Sequence, residues 1–265
     1  MSIKNYGLSI GDIIKSNKTG DYEVISFEKG SKVRLRSITC GNEIVIRTFN
    51  ASRGQVGNKM YPTFFGKGYL GDGIYKTRHS TTSPKTPQYT KWENMLARCY
   101  YPITSRYSAY GGRGVEVCDE WLNFQNFAKW FDDNYIDGWH LDKDILGDGM
   151  LYSPDVCRFV PQEINNVLVD SHENSSLKYS LPLGVSYDKR KGIFQCTLNV
   201  DRCDGYRFYS KDLHEVMAYY RTTKTEIVRS IVENYKDVIS KDVYEKLSNY
   251  VFEYTEGDLQ CKSLV

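Results

Sequence analysis

The stretch from Trp139 to Leu168, WHLDKDILGDGMLYSPDVCRFVPQEINNVL, constrains the fold more than any other part of the chain. HLDKDIL reads as a strand ending among acids, and GDGMLYSPD as a loop with two Gly and a Pro. VCRFV reads as a second strand, and PQEINNVLV opens a helix with Pro161 near its first turn. Strand, loop, strand and helix in so short a span make a ββα unit. Carboxylates at the end of its first strand can meet an Asn side chain from its helix across one divalent cation. A hard cation such as Mg²⁺ or Mn²⁺ takes oxygen ligands and keeps positions open for phosphate and water. Asp142, Asp144, Asn165 and Asn166 are the candidate ligands. The plainer alternative is that Asp142 and Asp144 serve a turn or an ion pair with Lys143. Asn165 and Asn166 would then only satisfy backbone groups.

The rest of the chain predicts an α+β, multidomain protein. Residues 1–75 carry YEVISFEKG and SKVRLRSITCGNEIVIRTFN, β-branched runs punctuated by NKTGD, EKGS and TCGN. They predict three or four short strands in a small barrel or a meander, followed by a Gly-rich connector. Residues 76–172 form a middle unit around the opening stretch. There YTKWENMLARCYY predicts a helix with Trp92, Met95, Leu96 and Cys99 inward and Lys91 and Arg98 on its exposed face. SRYSAYGGRGVEVCDEW follows, with Arg113 projecting from a glycine turn, and then WLNFQNFAKWFDDNY reads as a core helix. Residues 180–235 predict three antiparallel strands, at 184–187, 193–200 and 206–209. A long amphipathic helix capped near Ser210 or Asp212 comes next. Residues 236–265 read as a helical tail.

Charge is segregated along the chain. From Lys76 to Gly114 there are seven Lys/Arg and one acid; from Glu116 to Asp155 there are ten acids and two Lys. Between Ser180 and Arg229 nine Lys/Arg stand against six acids. An acidic block between two basic ones suits a metal site flanked by phosphate-binding surfaces, although charge blocks are as often simply solvated faces. The seven Cys are widely spaced with no CxxC, which predicts free thiols in a reducing compartment. No apolar run approaches a membrane span.

The segments YTKWENMLARCY, YGGRGVEVCDEW and LDKDILGDGMLYSPDVCRFVPQEINN, in that order over residues 89–168, resemble the phage-encoded HNH (ββα-metal) endonucleases of the homing type. The resemblance implies that Asp142 is the metal-binding Asp, that Asn165 or Asn166 completes the site, and that Arg158 is the functional Arg of the second strand. It also exposes a departure, because the family's general base directly follows that Asp, and here the position is Lys143. A protonated Lys is a poor base at neutral pH. Lys143 could act electrostatically while His140, two residues before Asp142 and on the same strand face, or a metal-bound hydroxide supplies the base. Alternatively its pKa is depressed by burial, or the site only binds DNA.

A second resemblance covers residues 181–220. LGVSYDKRKGIFQCTL, GYRFYS and LHEVMAYY resemble the DNA-binding domain of plant ethylene-response factors, also found attached to phage HNH nucleases. It implies a sheet laid in the major groove. Tyr187, Lys189, Arg190, Lys191, Gln195, Thr197 and Arg207 are the contact candidates there, with Arg98 and Arg113 in the middle unit. Phe194 stands where that family has a Trp-like position.

The leading expectation is a metal-dependent endonuclease of phage or mobile-element origin that nicks double-stranded DNA in the cytoplasm of an infected bacterial host. It would leave 5′-phosphate and 3′-hydroxyl ends. The alternatives are a catalytically inactive HNH-derived DNA-binding protein and a phage structural or host-interaction protein.

Overall fold

The computed structural model describes residues 5–168, 181–199 and 205–253. The chain is α+β, and its described residues divide into two compact units. One is drawn from 1–135 with 149–155, the other from 136–148 with 156–265. This division crosses the sequence divisions 1–75, 76–172, 180–235 and 236–265, because it parts the first strand of the ββα unit from the loop that follows it.

In the first unit, β1 (Ile13–Lys15), β2 (Asp21–Glu28), β3 (Lys32–Ser37) and β4 (Glu43–Arg47) form an antiparallel meander in sequential order. It is an open sheet rather than a barrel. The turn between β2 and β3 uses Gly30 and Ser31 at positive φ, and that between β3 and β4 uses Gly41 the same way. Such turns match the twist of the strands they join. Alternation sends Ile14, Tyr22, Val24, Val33 and Leu35 inward, and a short helix α1 (Thr48–Ser52) adds Ala51.

Helix α2 (Pro87–Tyr100) starts where expected. Thr86 caps it by accepting the Tyr89 N–H, with Pro87 in its first turn, and Tyr89, Trp92, Met95, Leu96 and Cys99 form its buried stripe. Lys91 and Arg98 are half-buried at the edge of that stripe rather than exposed. The single helix expected through Trp121 and Trp130 is two helices, α3 (Asp119–Leu122) and α4 (Phe124–Asn134). The break at Asn123 has a tertiary cause. Tyr69 of the Gly-rich connector donates its N–H to the Leu122 carbonyl and accepts the Phe124 N–H, each at 2.9 Å. Asn123 then restarts the helix by accepting the Gln125 N–H at 3.0 Å. Two short strands, β5 (Glu116–Val117) and β7 (Leu151–Tyr152), pair in parallel in this unit.

In the second unit, β6 (His140–Asp142) pairs antiparallel with β8 (Arg158–Val160), and α5 (Gln162–Val167) follows. β9 (Val185–Asp188), β10 (Ile193–Leu198) and β11 (Tyr206–Ser210) make a three-stranded antiparallel sheet with β10 central. The long helix α6 (Leu213–Asn234) is capped by Asp212, whose carboxylate accepts the His214 N–H at 2.8 Å, and α7 (Lys241–Ser248) ends the described part. Val160 and Ile164 share one apolar core with Val185, Phe194, Cys196, Leu198, Met217, Val228 and Val243. The ββα hairpin, too small to bury a core alone, is therefore built into the same body as the sheet. The expected turn around RCDG and the end of the strand at 200 fall largely outside the described residues. Cys40, Cys99, Cys118, Cys157 and Cys196 are free thiols. No helix among the described residues is long and apolar enough to cross a membrane.

Candidate metal site and nucleic-acid face

Asp142 ends β6 directly opposite Arg158 of β8. It is 8% exposed, and its Oδ1 accepts the N–H groups of Asp144 at 2.9 Å and Ile145 at 2.8 Å. The carboxylate thus folds the following loop into a tight turn, which is the local reason the strand stops there. Burial pushes the Asp142 carboxyl above its ordinary range, against the pull of those two N–H groups. Among the described residues Oδ2 takes no hydrogen bond. A buried carboxylate with one uncommitted oxygen fits a cation, whose charge would favour the ionised form that burial disfavours.

The other candidates fare differently. Asn165 is half-buried and Asn166 exposed on α5, which packs against β6. Neither spends its side-chain amide on a hydrogen bond among the described residues. Asp144 is turned to solvent, and its Oδ1 accepts from the Lys143 Nζ at 2.7 Å, while Lys143 itself is buried. With Asp144 engaged by Lys143, Asp142 and the amides of Asn165 and Asn166 are the candidate ligands left without a side-chain ion pair among the described residues. Among the described residues no three His, Cys, Asp or Glu side chains gather into a metal-holding group. A site of one carboxylate, one amide and waters would not form such a group in any case.

Arg158 sits across from Asp142 but is committed elsewhere. Its Nε and Nη2 donate to Asp242 Oδ2 at 3.0 and 2.6 Å, and its Nη1 to the Cys157 carbonyl at 2.7 Å. Asp242 belongs to the tail helix α7, far away in sequence, and no local motif announces it. His140 is half-buried, pairs with Val160, and by strand alternation faces the same side as Asp142.

The C-terminal sheet has two unlike faces. Phe194, Cys196 and Leu198 point into the core, and Tyr187, opposite Phe194, packs its ring on it with centroids 4.7 Å apart. Tyr187 therefore lies on the wrong face for the DNA contact expected of it, because its register partner is inward. The open face carries Gln195, Thr197, Arg207 and Tyr209, brought together by the pairings Gln195 with Tyr209 and Thr197 with Arg207. The sequence reading missed Tyr209, although alternation through YRFYS places it with Arg207. Gln195 donates to the Ser186 hydroxyl at 2.8 Å, which fixes its orientation. At the hairpin end Asp188 accepts the N–H groups of Arg190 and Lys191, holding the exposed side chains of Lys189, Arg190 and Lys191 at the tip. Arg98 and Arg113 lie in the first compact unit, half-buried and exposed respectively.

No protein-family model matches the chain, and neither a curated protein nor a solved structure does.

Proposed function

We propose that the protein is a metal-dependent DNA endonuclease of the HNH (ββα-metal) kind, of phage or mobile-element origin, which binds double-stranded DNA and nicks it. The observation that carries this reading is the buried Asp142 with its uncommitted Oδ2, at the end of a β6–β8 hairpin that runs into an Asn-bearing helix. A bound Mg²⁺ or Mn²⁺ would stabilise charge on the scissile phosphate and on the leaving 3′ oxygen. The chain's own part is narrower. Asp142 would hold the cation together with an α5 amide, and His140, on the same strand face as Asp142, would take the proton of the attacking water. Lys143, whose Nζ donates to Asp144, would contribute charge near the phosphate. Arg158 positions β8 through Asp242. Gln195, Thr197, Arg207, Tyr209 and the tip Lys189–Lys191 make the DNA-facing surface, and attack on phosphorus leaves 5′-phosphate and 3′-hydroxyl ends.

One observation favours a second reading, a DNA-binding protein without cleavage: the residue directly after Asp142 is a buried Lys locked onto a carboxylate. Incubation with supercoiled plasmid separates the two. The endonuclease reading expects nicking with Mg²⁺ or Mn²⁺, none with EDTA, and none by Asp142→Ala. Nicking that survives in Asp142→Ala would remove Asp142 from the site. Retained DNA shift with no nicking under any condition would establish the binding-only reading.

A further inference from the structure

The first compact unit carries a group of cations with no counter-ion among the described residues. Lys91 and Arg98 stand two turns apart on one edge of α2, so their side chains share a face. Lys91 is half-buried, and among the described residues it makes no hydrogen bond or ion pair. Burial and the charge of Arg98 both pull its pKa down. Arg98 lies over the Tyr110 ring, 5.3 Å from its centroid, and donates to the Tyr152 hydroxyl; among the described residues it has no carboxylate partner. Immediately after Tyr110, the turn Gly111–Arg113 is pressed against the end of the same helix. A Cβ at Gly111 would sit 2.0 Å from the Cys99 carbonyl oxygen, so only glycine permits the approach. That contact brings Arg113, exposed and without an ion pair among the described residues, to the end of α2 that bears Arg98.

A fold gains nothing from collecting like charges at a half-buried edge unless an anion joins them. The C-terminal position of Arg98 in its helix accounts for one cation through the helix dipole. It does not account for Lys91, which sits mid-helix beside a like charge. We propose that Lys91, Arg98 and Arg113 form a cradle for the phosphate backbone of duplex DNA, so that the protein grips DNA with both compact units. Contacts of this kind carry no base information and bind through counterion release, whereas the open face of the C-terminal sheet is suited to base edges. The inference rests on the DNA-binding reading and extends it to a surface that needs no metal and no cleavage.

The test is the salt dependence of duplex DNA binding by the full chain, followed by fluorescence anisotropy without divalent metal. Lys91→Gln and Arg113→Gln are each expected to flatten the log–log slope by about one unit, to the same extent on unrelated duplex sequences. Lys91→Arg should restore the slope, which a purely structural role for Lys91 would not require. Arg34→Gln, which removes an equal charge from an ion-paired face, should leave it unchanged. Slopes equal to wild type in both Gln variants would overturn the cradle while leaving the sheet and Asp142 untouched. A slope lowered as much by Lys91→Arg as by Lys91→Gln would overturn it too. No binding by the wild type at low salt would instead overturn the DNA reading beneath it.

Discussion

The N-terminal meander and the three-stranded C-terminal sheet are both antiparallel and alternate in the same way, yet they treat their arginines differently. On the open face of the N-terminal meander, Arg36 bonds Glu43 at 2.9 Å and reaches Glu23, while Arg34 bonds Glu28 at 3.0 Å and reaches Glu43. The Arg36 hydrogen bond holds the Glu43 carboxyl below its usual range, and the Glu28 contact raises Arg34. The two central arginines of that face are thus ion-paired, while Lys32 and Arg47 at its edge have no ion pair among the described residues. On the open face of the C-terminal sheet, Arg207 and the tip cations Lys189, Arg190 and Lys191 have no ion-pair partner among the described residues. Asp188, beside the tip cations in sequence, is spent on backbone N–H groups. Exposed ion pairs stabilise a fold only weakly, so the difference has little to do with stability. It separates a face whose central arginines are paired within the fold from one whose cations have no ion-pair partner among the described residues.

Asp142→Ala, in the unit that bears the open sheet, should lower plasmid nicking about 100-fold or more while leaving the DNA shift intact. Loss of nicking and shift together would mean that Asp142 holds the fold rather than a metal. The double change Arg207→Ala with Tyr209→Ala should weaken duplex binding roughly tenfold or more, since one stacked ring and one phosphate contact each contribute about 1 kcal/mol or more. Arg34→Ala with Arg36→Ala should leave that affinity where it was. If the two pairs behave alike in a binding titration, the contrast between the sheets is wrong.

Tyr187 gives a subtler check on which face is which. Tyr187→Ala should cost about 2 kcal/mol in thermal unfolding through lost packing on Phe194, whereas Tyr187→Phe should leave DNA affinity unchanged. Weakened binding by Tyr187→Phe would return that residue to the DNA-facing set. The smallest expected effect concerns acid. Burial raises the Asp242 carboxyl, but the Ser240 hydroxyl, Arg158 and the Val243 N–H outweigh it and hold it below its ordinary value. A carboxyl depressed in the folded state contributes stability above its unfolded pKa, and loses it as pH falls through the folded one. Below about pH 4, α7 should therefore loosen from β8, seen as faster amide exchange in 241–248, and Asp242→Asn should lack that acid-dependent step.

Much of the architecture was legible because it is local. The turns at Gly30 and Gly41, the stripe of α2 and the three C-terminal strands follow from residues within a few positions of one another. So does the β6–β8–α5 order, since its acids, glycines and Pro161 sit inside one short run. The helix break at Asn123 was not legible, because its cause is the backbone of Tyr69, brought in from a distant connector. Tyr187 was misplaced because its strand alone does not say which face its partner Phe194 takes.

The sequence by itself determined most of the strands and helices, and it placed Asp142 and Lys143 together at the end of β6 and the Asn pair on the helix that follows β8. Periodicity and capping act over one or two turns, so they can be read without coordinates. Only the tertiary structure decided which charges are spent and which remain available. It paired Arg158 with Asp242 and Arg34 with two glutamates, and it left Lys91, Arg113 and Arg207 with no carboxylate among the described residues. The reason is that counter-ions come from any part of the chain that packing brings within a few ångströms, and charge is satisfied by distance in space rather than along the sequence.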